Sequence, residues 1–413
     1  MTDDLSPATT PMPPQDAWLY RQQGPATAAA PVSLVAWFDG PAPTLAELRL
    51  LTDKQWSALP RLRMVPRAAP TAAGWPHWTD GGPFAPERHV HSGPGCRTEL
   101  IGRLAADPLP TDRPPWQLHL LPTRTGFALL LRAHHALLDG ISLGTLLDAL
   151  LGLPPAEPEP GPEHHRPGPL TRLARLAGDL VPQSRRLPIH GSPGPGRKVA
   201  FATVGSTELA AARAALPAAR SSGTAVFLAA AAGALHRLDL LGPARPGRPT
   251  ALVPVDARGP EQRGLLGNRY ATVRIPLPRH PDPRARLAEL SARTSREQLA
   301  PRAAAQAALV AEQPCRTTAL GTLLARYFDS PQYFSLLCSS LPAPAGPERT
   351  LGVARLTALA ALPPLGPAHP VALTLHHHPT GATVAAVTDD RMAHLAEPLA
   401  AAVRAEIRLL ARP

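Results

Sequence analysis

Lysine is almost missing from this chain. Lys54 and Lys198 are the only two, and arginine carries the rest of a formal net charge of +11. A basic balance ordinarily points to nucleic acid or an anionic surface. Here the arginines are scattered (Arg61, Arg113, Arg172, Arg237, Arg302), apart from short clusters such as Arg185-Arg186. Aromatics are only 4% of the chain, and no basic helix face is interleaved with them, so nucleic acid is excluded as a partner. The same skew toward arginine, and toward the 54 prolines, follows from GC-rich coding. The surplus charge fits attraction of an anionic small molecule better. Cysteine is also scarce. Cys96, Cys315 and Cys338 are odd in number and widely spaced, which excludes a disulfide framework and a zinc pattern and leaves three reduced, apolar thiols. No apolar run reaches the roughly 18–20 residues of a membrane-spanning helix, so no transmembrane segment is expected. The acidic, Pro-rich start from Met1 to Pro14 lacks the basic and apolar regions of a secretory signal. A cytoplasmic location is the expectation.

What is present is enough chain for two lobes of ordinary domain size: 413 residues, 44% of them hydrophobic. Residues 1–13 read as a disordered tail and 14–153 as a first lobe. Residues 154–196 read as a Pro-rich connection carrying one helix (Leu170 to Leu180), and 197–413 as a second lobe. In the first lobe, Ser33 to Phe38 alternates like a strand and Leu45 to Leu59 has helical spacing. Gln117 to Pro122 and Gly126 to Ala133 read as a hairpin. In the second, Thr250 to Val255 and Ala271 to Ile275 read as strands, Ala225 to Leu238 and Ala285 to Leu299 as helices, and Val371 to His376 with Ala382 to Val387 as a hairpin. Two lobes that both mix strands and helices predict an α/β fold with a site between them.

The stretch His134-His135-Ala136-Leu137-Leu138-Asp139-Gly140 lies between the apolar run ending at Ala133 and a helix-like run from Ser142 to Leu151. Adjacent side chains of a strand point to opposite faces. One histidine is therefore expected against the first lobe, with the other facing a channel. That alternation argues against a His–His metal pair, and no ligand set lies nearby. An imidazole is suited to taking a proton from a hydroxyl or amine and returning it to a leaving group. Asp139 has two available roles, orienting the imidazole or tying the loop to an arginine. Gly140 would permit a sharp exit into the helix, which Ser142 would N-cap. No Gly-x-Ser-x-Gly elbow surrounds Ser142.

With these residues in view, the chain resembles the bacterial wax ester synthase/acyl-CoA:diacylglycerol acyltransferase family. That family belongs to the superfamily of HHxxxDG CoA-dependent acyltransferases and condensation domains. The signature is complete as His134 to Gly140. Asp112-Arg113-Pro114-Pro115-Trp116, Asp16-Ala17-Trp18-Leu19, Leu59-Pro60-Arg61-Leu62-Arg63, Leu252-Val253-Pro254-Val255 and Leu266-Gly267-Asn268-Arg269 resemble further family segments in order. The resemblance implies two chloramphenicol-acetyltransferase-like lobes, each a mixed sheet with helices, with an interlobe substrate channel. It implies His135 as catalytic base and Asp139 as mainly structural, commonly salt-bridged to an arginine. His134, Gly140, Asn268 and Arg269 would lie along the channel, the last two either touching substrate or holding the lobes together. No bound cofactor or metal is implied; acyl-CoA is a co-substrate and an alcohol or amine the acceptor. The resemblance leaves room for an acyl carrier protein as donor and for peripheral contact with a membrane or lipid droplet.

The second lobe departs from the family pattern. Ser339-Ser340-Leu341-Pro342-Ala343-Pro344 is a degenerate form of a Ser-Asn-Val-Pro-Gly-Pro element, Ala372 stands where an asparagine is common, and Thr224-Ala225 replaces Asn-Asp. A specialised-metabolite acceptor, an amide-forming condensation and a non-catalytic binding role are the alternatives. His376-His377-His378 reads as a solvated strand end, and Trp75 and Trp78 as staples of a surface loop.

Overall fold

The computed structural model describes residues 9–22, 31–69, 71, 74–153, 183–217, 220–242, 247–343 and 346–412. Most of the Pro-rich connection, with the helix expected at Leu170 to Leu180, lies outside the described residues. So does the tail before Thr9. Thr9–Pro11, expected as part of that tail, instead pairs antiparallel with His77–Asp80. That strand pairs with Met64–Arg67 to make a small three-stranded sheet.

Two six-stranded mixed sheets carry the molecule. The first runs in the order Thr350–Leu351, Ala354–Leu362, Val32–Asp39, Gly126–Ala133, Trp116–Pro122, Val90–Ser92. The second runs Tyr270–Pro276, Thr250–Asp256, Leu336–Leu341, Val371–His378, Gly381–Thr388, Lys198–Gly205. Their central strands are apolar on both faces because both faces are covered. In Val32–Asp39, Leu34, Ala36 and Phe38 pack into the first lobe's own core, which includes Leu48 and Trp56 of helix Leu45–Trp56. Val35, on the opposite face, joins Leu130, Ala385 and Val387 in a cluster shared by the two sheets. In the second sheet Leu373 and Leu375 pack under the Ala-rich helix Gly223–Arg237 and the last helix, Ala396–Leu410. Thr374, pointing the other way, donates from Oγ1 to the Ala361 carbonyl of the first sheet at 2.8 Å. Each lobe thus has helices on its outer face and its partner's sheet on the inner one, the α/β two-lobe architecture expected.

Several expected boundaries change. The second lobe was expected to keep all of 197–413, yet Ala354–Leu362 leaves it to pair with Val32–Asp39. A register shift between Leu356 and Ala358 switches the side-chain parity, so Leu356 and Leu359 both reach the first core while Ala360 and Leu362 face the interlobe cluster. The helix expected at Ala285 to Leu299 is two helices, Pro283–Arg293 and Arg296–Ala311. Thr294 ends the first by turning its hydroxyl onto the Leu290 carbonyl at 2.8 Å. Trp78 is buried in the first core, where the Arg61 guanidinium lies 4.7 Å from its ring centroid. It does not staple a surface loop.

Candidate functional site

Strand Gly126–Ala133 ends just before the histidines, and helix Gly140–Leu150 begins just after the aspartate. The turn between them closes on His134, whose carbonyl accepts from the Leu137 N–H at 2.8 Å. Asp139, not Ser142, is the N-cap: its Oδ1 accepts from the Ser142 N–H at 2.8 Å, an interaction worth about 0.5–2 kcal/mol. Gly140 is the first helical residue, and its φ is not positive. The tightest neighbour of Gly140 is Leu341, whose Cδ2 an added Cβ would meet at 3.3 Å, a contact the leucine side chain would have to relax.

The second lobe's hydrogen bonds to this turn come from one loop, residues 257–269, between strands Thr250–Asp256 and Tyr270–Pro276. Arg258 lies at its start. Nη2 of Arg258 sits 3.0 Å from both carboxylate oxygens of Asp139, from Ser142 Oγ and from the Gly267 carbonyl. Nη1 reaches Asp256 at 3.0 Å. Burial alone would depress the Arg258 pKa, but the carboxylates of Asp139 and Asp256 outweigh it and raise it. The charge is therefore secure. Gly267 takes a φ of +115°, a conformation open to glycine at little cost, and exchanges two hydrogen bonds with the Ser142 hydroxyl at 2.9 and 3.1 Å. Asn268 follows. Its Nδ2 donates to the His135 and Ala136 carbonyls at 2.8 and 2.9 Å and to Asp16 Oδ1 at 2.9 Å. The Arg269 backbone N–H donates to Asp139 Oδ2 at 3.0 Å. From the first lobe, Arg61 pairs with Asp16 at 2.5 Å and donates to the Ala136 and Leu137 carbonyls at 2.9 and 2.8 Å. The turn is thus held by donors from both lobes.

The two histidines have different surroundings, and because both lie beyond the strand it is turn geometry and not pleat alternation that divides them. His134 is buried in the first lobe against Tyr20, with ring centroids 5.8 Å apart. Its Nδ1 accepts from the Ala136 N–H at 3.1 Å, and burial pushes its pKa down to about 3. It closes the turn and does not line a channel. His135 keeps partial exposure, and its ring stacks on Tyr270 of the second lobe at 5.8 Å. Burial lowers its pKa below the ordinary 6.5, opposed by its own carbonyl, Asp139, the Asn268 side chain and the Leu138 backbone. Its Nδ1 is sealed and without a hydrogen-bond partner among the described residues.

The structure therefore brings His135, Asp139, Gly140, Asn268 and Arg269 together across the lobe boundary. Asn268 binds first-lobe backbone and Asp16, the contact of a residue that holds the lobes together. Arg258 was missed, as were the contributions of Asp16, Arg61 and Tyr270. Asn268, named from the sequence, also stands out there as the only asparagine in the chain. The expectation for His376-His377-His378 is corrected. His376 and His378 are buried, because Val371–His378 is an interior strand flanked on both sides. A cavity of about 530 Å³ opens between the lobes, walled by Trp37, Thr125, Phe201, Thr203, Thr357 and Thr383 among others. It lies beyond the far end of Gly126–Ala133, about eight residues or ~26 Å from the histidines. Among the described residues no group of three or more His, Cys, Asp or Glu side chains is arranged to hold a metal, and no helix is long and apolar enough to cross a membrane.

Comparison with known proteins places this geometry. Among solved structures, the wax ester synthase/diacylglycerol acyltransferase from Marinobacter aquaeolei VT8 superposes with a TM-score of 0.67 at 19% identity, covering 97% of this chain and 98% of that one. The first condensation domain of the CDA synthetase gives 0.67 at 18% identity, covering 98% and 96%. At these identities both show the fold alone. Among curated sequences, a probable diacylglycerol O-acyltransferase (tgs3) of Mycobacterium tuberculosis is 31% identical over 194 residues, 43% of this chain and 71% of that protein. A putative diacylglycerol O-acyltransferase (Rv1760) of the same species is 30% identical over 129 residues, 29% of this chain and only 26% of its own length. The model of the wax ester synthase/diacylglycerol acyltransferase catalytic domain matches residues 12–287, a stretch that holds the whole 134–140 turn and the crossing loop, and the chain belongs to that family.

Proposed function

We propose that this protein transfers an acyl group from acyl-CoA to an alcohol, with His135 as general base and no covalent enzyme intermediate. The observation that carries the reading is the placement of His135. It is the one histidine of the pair with residual exposure, at the lobe boundary, in a turn whose carbonyls are pinned by Asn268 and Arg61. With Nδ1 sealed, Nε2 is the nitrogen left to meet a guest. The acceptor O–H gives its proton to Nε2 while the oxygen attacks the thioester carbonyl carbon. The C–S bond then breaks, and the departing thiolate takes the proton back from Nε2. Holding donor and acceptor together supplies much of the acceleration, and the positioned base adds about 10²–10⁴-fold. The surplus of arginine favours an anionic donor such as CoA by long-range attraction. Cytoplasmic location belongs to the same reading.

Amide formation from a carrier-bound thioester uses the same base and is the second reading, supported by the equally good superposition of a condensation domain. Mass spectrometry of products from mixed acyl-CoAs and a panel of small alcohols and amines separates the two. The expected result is ester formation with one free thiol released per ester. Preferential consumption of a carrier-bound thioester with amide product would move the protein to the second reading. Tight ligand binding with no thioester consumed would leave a non-catalytic homologue.

A further inference from the structure

His376 differs from the histidines around it. His378, two residues on and on the same face of the strand, is satisfied by Thr383 Oγ1 at 3.1 Å and Thr380 Oγ1 at 3.0 Å. His376 is 5% exposed, yet its Nδ1 has no hydrogen-bond partner among the described residues. A buried, unsatisfied polar group carries a desolvation cost, which a group retained for binding recovers when its ligand arrives.

Its position says where that ligand would lie. Even-numbered residues of Val371–His378 face the first lobe, as the Thr374 bond to Ala361 shows. Directly opposite His376 on one neighbouring strand is Thr383, and opposite Thr383 is Thr203. Both threonines wall the 530 Å³ interlobe cavity. Opposite His376 on its other neighbour is Leu341, the residue against which Gly140 of the turn closes. Thr203, Thr383, His376 and Leu341 form one row across the inner face of the second sheet. With strands about 4.8 Å apart, the row spans ~14 Å from the cavity wall to the neighbour of Gly140. His376 is the titratable residue in it.

We propose that His376 is a substrate-holding residue of the interlobe passage, hydrogen-bonding a neutral amide or hydroxyl of a chain that runs from the threonine-lined cavity toward the 134–140 turn. The inference rests on the acyl-transfer reading and adds to it a residue and a ligand chemistry. Burial pushes the His376 pKa down to about 3, so the ring is neutral, with one N–H to donate and one lone pair to accept. That suits an amide or hydroxyl and disfavours a phosphate. Two sources share the chemistry: the amide-bearing pantetheine arm of the donor and a polar acceptor.

The test is His376→Leu beside His376→Gln, with KM measured separately for acyl-CoA and for the alcohol. Leucine removes the orphaned Nδ1 and is expected to keep or raise the melting temperature. It is also expected to raise one of the two KM values about tenfold, the scale of one buried hydrogen bond, and glutamine is expected to recover part of that. A rise for acyl-CoA assigns the pantetheine arm; a rise for the alcohol assigns the acceptor. Unchanged KM for both substrates, or a rise that glutamine does not relieve, overturns the proposal. Binding is read independently of turnover as thermal protection of His135→Ala by an unreactive S-alkyl-CoA thioether and by the alcohol. Protection by one of them that His376→Leu weakens supports the proposal even if wild-type protein consumes no thioester, which would defeat the acyl-transfer reading alone. Protection that His376→Leu leaves intact, or none at all, overturns the proposal.

Discussion

His135→Ala is expected to lower kcat by about 10²–10⁴-fold, the typical contribution of a positioned general base, while the protein stays folded. Both halves of that expectation come from the same geometry. The group that Asn268 holds is the His135 backbone carbonyl, which the substitution leaves in place. The imidazole carries no hydrogen bond at Nδ1 among the described residues, so truncation chiefly removes the ring and its stacking on Tyr270. His134→Ala is the contrast. It deletes the acceptor of the Ala136 N–H inside the first lobe and is expected to cost stability first. Steady-state kinetics with a melting curve on both variants checks the pair. A His135→Ala protein retaining more than about a tenth of wild-type kcat would remove the ring from the chemistry.

The largest expected stability effect belongs to Asp139. Its carboxylate accepts the cap bond from Ser142, a bond from the Arg269 backbone and the charge of Arg258. The ion pair is nearly dry, with side-chain exposures of 4% and 2%. Removing one member of a buried pair costs up to about 3–5 kcal/mol when the survivor is left uncompensated, and here Arg258 keeps Asp256 as a partner, which places the loss toward the lower end. Losing the cap adds about 0.5–2 kcal/mol. Asp139→Ala loses both contributions, whereas Asp139→Asn keeps a good N-cap but loses the charge and the Oδ2 acceptor of the Arg269 N–H and Arg258. Asparagine is therefore expected to recover roughly 1 kcal/mol of the alanine loss and leave the larger part unrecovered. Urea unfolding of both variants measures this. Losses near 1 kcal/mol in alanine and none in asparagine would mean the cap alone matters and that Arg258 does not tie the lobes.

How much of this was legible in the chain follows from the range of each interaction. The 134–140 turn announced itself because a strand, a capped helix and their spacing are local. The strand at Ala354–Leu362 has an apolar pattern, but nothing local says that it crosses to pair with Val32–Asp39, more than three hundred residues earlier. Its parity switch at Leu356/Ala358 also hides which face is inward. Arg258 was invisible for a compositional reason: where arginine replaces nearly every lysine, one arginine more carries no information. The same bias makes Asn268 conspicuous, since a lone asparagine in such a composition stands out. His376 to His378 read as solvated because polar residues at a strand end usually are, and only the flanking strands bury His376 and His378.

The measurement that bears most directly on the central claim is the pH dependence of kcat/KM for ester formation. The base must be neutral to accept a proton, and burial lowers the His135 pKa below 6.5. Activity is therefore expected to be level near pH 8 and to fall on the acid side with a midpoint below 6.5. The limb should be absent from the residual activity of His135→Ala. A midpoint above 6.5, or an acid limb that survives in His135→Ala, would contradict an imidazole base at this position.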